Sequence, residues 1–433
     1  MRLPSAARIA TGAALLSLSV GCTSADTEDR DPAPSPTAEA AGWPVYDGPA
    51  APDLVLREVP LDAGVGRGVE DVDRVERIGG VAVLAGHNDR HDLTRAVDLA
   101  SGRVLWQRRS GDSIASPLGE VRIDGPWAAV PASGALVGKS SLDGCERNSK
   151  ACGIDPRLEE HGQALHAVDA RTGTVRWSVP LLPAAPASEL APRLPFGVDE
   201  IEVAGDTVVV NLVDARGEDA LIQGYDAATG KRLWERSGAW VTRATDGLVL
   251  AQAIDDPDDE ATAGALQGRD ARTGKVLWTN PELPVGPLIR LSGSAEDGIG
   301  HSGDRFFGLD DGEEITGSTG HALVATGAEG SYGVSDGPRL EEGRCCLSTV
   351  ATVGPDGVWR RSERAVGEGV EWADGDYIWR SIDDGGQRLI AVDRTGTARS
   401  REVSVTYGAL FAPGLILSDD VGGGIRMWTY RSG

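Results

Sequence analysis

The sequence predicts an all-β chain, a single β-propeller of four-stranded antiparallel blades, with eight blades favoured and seven the alternative. Three observations carry this. A unit of strand, tight turn and strand recurs four times with Asp, Gly and Trp in fixed register, which marks a repeat protein. Val, Leu, Ile and Trp fall in short runs bounded by Gly, Asp and Pro. No long segment spaces its apolar residues at the helical period.

The chain opens with Arg2 and Arg8 followed by an apolar run from Ile9 to Val20. That run is too short to span a bilayer, so residues 1–22 read as a processed signal. The small residue Gly21 directly before Cys22 resembles a bacterial lipobox, although Ser19 stands where Leu is usual and Leu18 lies one place further out. The reading is a lipoprotein whose mature N-terminus is an acylated Cys22; an ordinary cleaved signal with an incidental Cys is the alternative. Lipid would add ~0.8 kcal/mol of membrane affinity per buried methylene. Residues 23–42 are rich in Ser, Thr, Ala, Pro and acids and lack apolar periodicity, the composition of a disordered tether. Residues 43–433 then read as one propeller domain, because repeats populate most of it and no second linker interrupts it.

The four clear units are centred on Asp98-Leu-Ala-Ser-Gly102-Arg-Val-Leu-Trp106, Asp169 to Gly173 to Trp177, Asp226 to Gly230 to Trp234, and Asp270 to Gly274 to Trp278. In each, Asp suits the first position of a type I turn, where its carboxylate accepts backbone N–H groups. Gly suits the left-handed position that closes such a hairpin with a bulge. Trp is too large to be left on the outgoing strand without a packing role. Strand-like runs precede the hairpins at Val81–Ala85, Trp127–Val130, Thr207–Val213 and Leu248–Ala253, with an added run at Glu200–Val203. That makes about four strands per unit, the content of a propeller blade. Later units are worn: Phe306–Gly312 and Leu389–Gly396 lose the Trp, Val350–Trp359 shortens the spacing, and Gly414–Ser418 with Ile425–Tyr430 form the last. A strand near Leu54–Arg57 is expected to complete the final unit, closing the ring and removing free sheet edges.

Ala-x-Asp-x-x-Thr-Gly-x-x-x-Trp, complete from Ala167 to Trp177, resembles the tryptophan-docking motif of the pyrroloquinoline-quinone-type propellers. That family includes quinoprotein alcohol dehydrogenases and a propeller lipoprotein of outer-membrane assembly. The resemblance implies that Trp106, Trp177, Trp234 and Trp278 pack between adjacent blades. It is specific for fold and poor for function, since such folds host both enzymes and scaffolds.

Net charge is −24, which argues against nucleic acid or an anionic membrane surface as a partner, because phosphate binding needs clustered Lys and Arg. Acidity here reads first as solubility. Chemistry-bearing candidates are few. The adjacent pair Cys345-Cys346 invites comparison with the vicinal disulfide beside the cofactor of quinoprotein dehydrogenases, but theirs lies early in the propeller and the calcium ligands and catalytic Asp do not assemble here. A structural disulfide in an exported protein is the preferred reading. With Cys22 acylated, Cys145, Cys152, Cys345 and Cys346 allow three pairings; Cys145 and Cys152 bracket a short polar insertion. Asp255–Glu260 lacks the spaced ligands and central Gly of a calcium loop and reads as a solvated hairpin tip. Gly333-Val-Ser335-Asp-Gly337 matches a nucleophile elbow only on paper, since that motif needs a strand-to-helix turn. The six histidines show no metal-binding pattern.

The expected function is therefore a non-catalytic, membrane-anchored, extracytoplasmic scaffold, monomeric, without cofactor or metal, that binds protein or cell-envelope material. The insertions Lys139–Glu160 and Asp255–Gly264 are its natural recognition loops. The alternatives are a dehydrogenase using pyrroloquinoline quinone with calcium and a propeller-type polysaccharide-degrading enzyme.

Overall fold

A computed structural model of the chain describes residues 45–432 except 63–64, 66–70, 88–91, 142–162, 182–196, 214–219, 254–263, 284–288, 293–297, 303–304, 316–321, 328–329, 336–348, 354–358, 362–369, 375–376, 383–387, 406–408 and 421–423. The described strands form eight antiparallel sheets. Sheet 1 is Asp71–Ile78, Val81–His87, Asp92–Asp98 and Val104–Arg109. Sheet 2 is Gly119–Val130, Ala135–Ser141, Gln163–Asp169 and Val175–Pro180, with an extra strand, Ser113–Ser116, hairpinned onto the start of Gly119–Val130. Sheet 3 is Gly197–Ala204, Thr207–Val213, Ala220–Asp226 and Arg232–Ser237; sheet 4 is Ala239–Thr245, Leu248–Ala253, Leu266–Asp270 and Val276–Asn280. Sheet 5 has three strands, Arg290–Ser292, Ile299–Ser302 and Arg305–Gly308. Sheet 6 is Ala322–Gly327, Gly330–Ser335, Thr349–Val353 and Trp359–Arg361, and sheet 7 is Val370–Asp374, Tyr377–Ser381, Arg388–Asp393 and Val403–Ser404. Sheet 8 joins the two ends of the described chain: Leu410–Ala412, Leu415–Asp420 and Gly424–Ser432 pair on to Leu54–Glu58, with Leu54 opposite Ser432 and Glu58 opposite Trp428.

The first strand of each sheet lies against the first strand of the next, and sheet 8 lies against sheet 1, so the sheets run round a closed ring. Between sheets 7 and 8 the contact is an aromatic stack, Trp372 on Phe411 with centroids 6.0 Å apart. The apolar core is accordingly split into wedges between sheets. Val81 and Val83 pack toward sheet 2, while Ala82 and Leu84 on the same strand pack toward sheet 8. Side chains alternate across a strand, so a strand buried on both faces reads as a continuous apolar run. This explains the unbroken runs at Val81–Ala85 and Val208–Val210.

Two features depart from a uniform four-strand expectation among the described residues: the fifth strand of sheet 2 and the three strands of sheet 5. A third corrects the expectation that closure removes sheet edges. Pairing Leu54–Glu58 completes sheet 8, but the outermost strand of every sheet remains an edge, because the sheets are arranged radially.

Candidate functional site

The clearest construction in the molecule is the set of docking turns. Asp169 Oδ1 accepts the N–H groups of Arg171 (3.0 Å) and Thr172 (2.8 Å) and the Thr172 hydroxyl (3.1 Å). Gly173 N–H returns to the Asp169 carbonyl at 2.8 Å, and Asp169 N–H donates to the Thr174 carbonyl at 2.8 Å. Asp98 with Ser101, Asp226 with Thr229 and Asp270 with Thr273 repeat the arrangement. The glycines Gly102, Gly173, Gly230 and Gly274 all have φ between +67° and +72°, a region most side chains avoid. After each turn the register slips, between Val175 and Trp177 in sheet 2 for instance, which is the bulge.

Each Trp leaves its own sheet and meets the turn of the next. The indole N–H of Trp106 donates to the Ala170 carbonyl (2.9 Å), Trp177 to Ala227 (2.9 Å), Trp234 to Ala271 (2.8 Å) and Trp278 to Leu309 (2.8 Å). The rings lie flat on the turn glycines: a Cβ on Gly173, Gly230 or Gly274 would fall 2.6–2.9 Å from the indole of Trp106, Trp177 or Trp234. Within its own sheet each Trp lies opposite a small residue, Ala96, Ala167, Gly224 or Gly268. That explains the small residue two places before each Asp, since a larger one would collide with the indole.

The sheet 8–sheet 1 junction is built differently. The nearest atoms over Gly102 belong to the backbone of Pro60 and Leu61 and not to an indole. Asp62 N–H donates to the Gly102 carbonyl at 3.1 Å, and the buried guanidinium of Arg95 donates to the Val65 carbonyl. Upstream, Ala51 N–H reaches Asp393 Oδ2 (3.2 Å), the Tyr377 hydroxyl donates to the Pro52 carbonyl (2.9 Å), and Leu54 N–H donates to the Arg399 carbonyl (2.6 Å). Residues 51–62 and Val65 thus tie sheets 7, 8 and 1 together. Asp393, in a sheet 7 turn without a Trp, holds Thr395 and the Arg399 Nε (2.7 Å).

The electrostatics of these turns follow from their bonds. Hydrogen bonds from the Ser101 backbone and hydroxyl hold the Asp98 carboxyl below the usual carboxylate range. At Asp226 the Thr229 hydroxyl does the same. Burial works against ionisation at Asp169 and Asp393, yet bonds from Arg176 and Thr172, and from Thr395 and Arg399, outweigh it and both are lowered.

A polar group that the sequence did not flag lies inside sheet 2. His166 is fully buried; its Nε2 meets the Ser140 hydroxyl and its Nδ1 the Ser178 hydroxyl at 2.6 Å. Burial lowers its pKa to about 4, so the ring is neutral at physiological pH. The only sequence signal is positional: His166 occupies the place three before the turn Asp that Arg95 and Gln223 hold in sheets 1 and 3.

Cys22, Cys145, Cys152, Cys345 and Cys346 lie outside the described residues, as do Asp255–Glu260, His91, His161 and His321. The strands flanking 142–162 belong to sheet 2, those flanking 254–263 to sheet 4, and those flanking 336–348 to sheet 6. All three links join second strands to third strands, whereas the docking turns join third to fourth. In an antiparallel sheet these are opposite ends, so the long links leave from the end opposite the docking turns. Lys139, Ser140 and Ser141 belong to the strand Ala135–Ser141, which places the first insertion later than the sequence suggested. Gly333, Val334 and Ser335 lie within the strand Gly330–Ser335, opposite Ala351, Val350 and Thr349, while Asp336 and Gly337 lie outside the described residues. His87 bonds Asp73 at 2.9 Å at a strand end, and His301 packs on Phe306.

Among the described residues no group of three or more His, Cys, Asp or Glu side chains is placed to hold a metal ion. Glu200 and Glu202, on the innermost strand of sheet 3, are both paired with Arg243, at 3.0 and 3.1 Å. A cleft of about 300 Å³ between sheets 1 and 2 is lined by Gly79, Gly80, Pro131, Gly134, Asp169 and Arg171 among others, and its cations are paired, Arg171 with Asp98 and Arg176 with Asp169. No helix among the described residues is long and apolar enough to cross a membrane.

A closed ring of radial antiparallel sheets, joined by indoles on Asp-x-x-Thr/Ser-Gly turns, defines a β-propeller of the tryptophan-docked, pyrroloquinoline-quinone-like repeat class. The chain belongs to the family described as outer membrane protein assembly factor BamB, whose model matches residues 89–282 and 161–403. Among solved structures it is similar to BamB from Moraxella catarrhalis, with 16% identity over 87% of this chain and 100% of that one and a TM-score of 0.43. It is also similar to the quinohemoprotein alcohol dehydrogenase from Comamonas testosteroni (12% identity, 89% and 78% of the two chains, TM-score 0.47) and to the exotype rhamnogalacturonan lyase YesX (13%, 89% and 75%, 0.42). These likenesses concern the fold. No curated protein matches the sequence.

Proposed function

We propose that the chain is a lipid-anchored, extracytoplasmic, monomeric binding scaffold that contacts protein or envelope material and performs no chemistry of its own. One observation carries this reading: the docking turns and their indoles are spent on joining sheets, while the long links of sheets 2, 4 and 6 all leave from the end opposite the docking turns. A rigid ring whose long links leave from one end is a platform for recognition. The family description, an assembly factor for outer membrane proteins, supports protein contact as the kind of role. Cys22, with the tether 23–42 behind it, is the assigned lipid site.

The test is zero-length cross-linking of the full chain in native membranes, followed by mass spectrometry. Cross-links from the links flanked by Ser141 and Gln163, or by Ala253 and Gly264, to one reproducible protein would support the scaffold. Reduction of a dye by the purified chain loaded with pyrroloquinoline quinone and calcium, with an alcohol as donor, would replace it with the dehydrogenase.

A further inference from the structure

Ring closure leaves an edge on every sheet, and one of them is unlike a solvated rim. Only five large apolar side chains among the described residues are exposed, and two of these are adjacent: Val276 at 45% and Leu277 at 55%, on the outermost strand of sheet 4. The register slips here, with Val276 opposite Arg269 and Trp278 opposite Gly268, so these two neighbours make the bulged start of this edge apolar. Beside it is the outermost strand of sheet 3. The Arg236 guanidinium donates to the Glu235 and Thr273 carbonyls, at 2.8 and 3.0 Å, spanning from sheet 3 to the docking turn of sheet 4, and among the described residues it forms no ion pair with a carboxylate. Residues 231–237 and 275–280 carry four cations, Lys231, Arg232, Arg236 and Lys275, against one acid, Glu235. In a chain of net charge −24, this is a local reversal of sign. Edge cations are a usual guard against indiscriminate strand pairing, but a guard of one sign excludes basic strands and admits acidic ones.

We infer that the outer edge of sheet 4, with the adjacent edge of sheet 3, is a docking site for an extended acidic peptide segment of a partner protein. The segment adds as a further strand along Val276–Asn280. Its backbone completes the edge ladder, its apolar residues cover Val276 and Leu277, and its carboxylates face Arg236 and Lys275. This rests on the scaffold reading and gives it a surface and a partner chemistry.

The experiment uses the full chain and a fluorescent synthetic peptide of alternating Glu and Val, with binding read by anisotropy. Binding is expected to weaken as salt is added and to fall about tenfold or more, about 1.4 kcal/mol, in the double variant Arg236→Glu/Lys275→Glu. The melting transition of that variant should fall slightly, because Arg236 loses its bonds to the Glu235 and Thr273 carbonyls, while Lys275→Glu alone should weaken binding with the melting transition unchanged. A peptide N-methylated at alternate residues should not bind, because its backbone cannot complete the ladder. Equal binding of a Lys-Val peptide, or indifference to the double substitution, would overturn the inference. So would binding to phosphatidylglycerol vesicles with the Glu-Val peptide silent, which would make the rim a membrane contact. A cross-linked protein partner that the double variant still captures would sink the rim assignment alone and leave the scaffold standing.

Discussion

At the scale of single residues, each docking station depends on one indole and one glycine. Trp177 is buried between sheets 2 and 3, with its N–H on the Ala227 carbonyl. Trp177→Ala should cost ~3–5 kcal/mol by opening a gap there, whereas Trp177→Phe keeps most of the packing and forfeits a hydrogen bond of about 1 kcal/mol; denaturant titration of the two variants measures both. Gly230→Ala should cost about 1–3 kcal/mol, since φ is +72° and the new methyl would meet the Trp177 ring. An unchanged midpoint in Trp177→Ala would remove the indole from its assigned role. Acid offers a second probe. His166 is neutral when folded down to about pH 4, while its unfolded value is 6.5. The unfolded chain therefore binds the extra proton between those values, and stability falls as pH drops from 6.5 to 4, by about 3 kcal/mol in all. Asp169, Asp226 and Asp393 have folded values below their unfolded 3.8, so their contribution is present above that pH and lost on further acidification. Urea midpoints measured across this range should show the first decline, and His166→Gln should flatten it.

At the scale of elements, the strand–turn–strand unit was legible because its determinants are local. Asp169, Thr172 and Gly173 lie within five positions of one another and close the turn by themselves. Both-face burial was legible as unbroken apolar runs. Sheet 5, whose Gly312 receives the Trp278 ring but whose sequence has Thr316 four places later where the clear units have Trp, showed in the sequence as a worn unit. The short strand Ser113–Ser116 did not show, because four residues carry too little pattern. The strand Leu54–Glu58 was legible as a candidate for the last sheet, yet its onward path was not. Pro60 and Leu61 cover Gly102 where an indole covers the other turn glycines. Deleting residues 45–58 should therefore strip sheet 8 of its outer strand and loosen the sheet 8–sheet 1 junction as well. The expected outcome is a broadened, lower thermal transition and earlier elution on gel filtration; a native transition in that deletion would show that the ring closes without its clasp.

At the scale of the whole molecule, the wedge-shaped cores make the ring a chain of neighbour-to-neighbour contacts, and the N-terminal strand is where it shuts. If Cys22 carries lipid, the same segment that closes the ring is also joined to the membrane through the tether. Cys22→Ser should release the protein into the soluble fraction with its melting transition intact, as followed by fractionation and immunoblotting; retention of the variant on the membrane would contradict acylation.

The sequence by itself determined the repeat, the turn chemistry and the all-β ring, because hydrophobic period and Asp–Gly turns act over a few residues. Tertiary structure alone decided which carbonyl receives each indole, why Ala or Gly stands opposite it, that a backbone segment replaces the indole at Gly102, and that Val276 and Leu277 stay bare on an edge of reversed charge. Those are relations between residues far apart in the chain, and only closing the ring brings them within reach of one another.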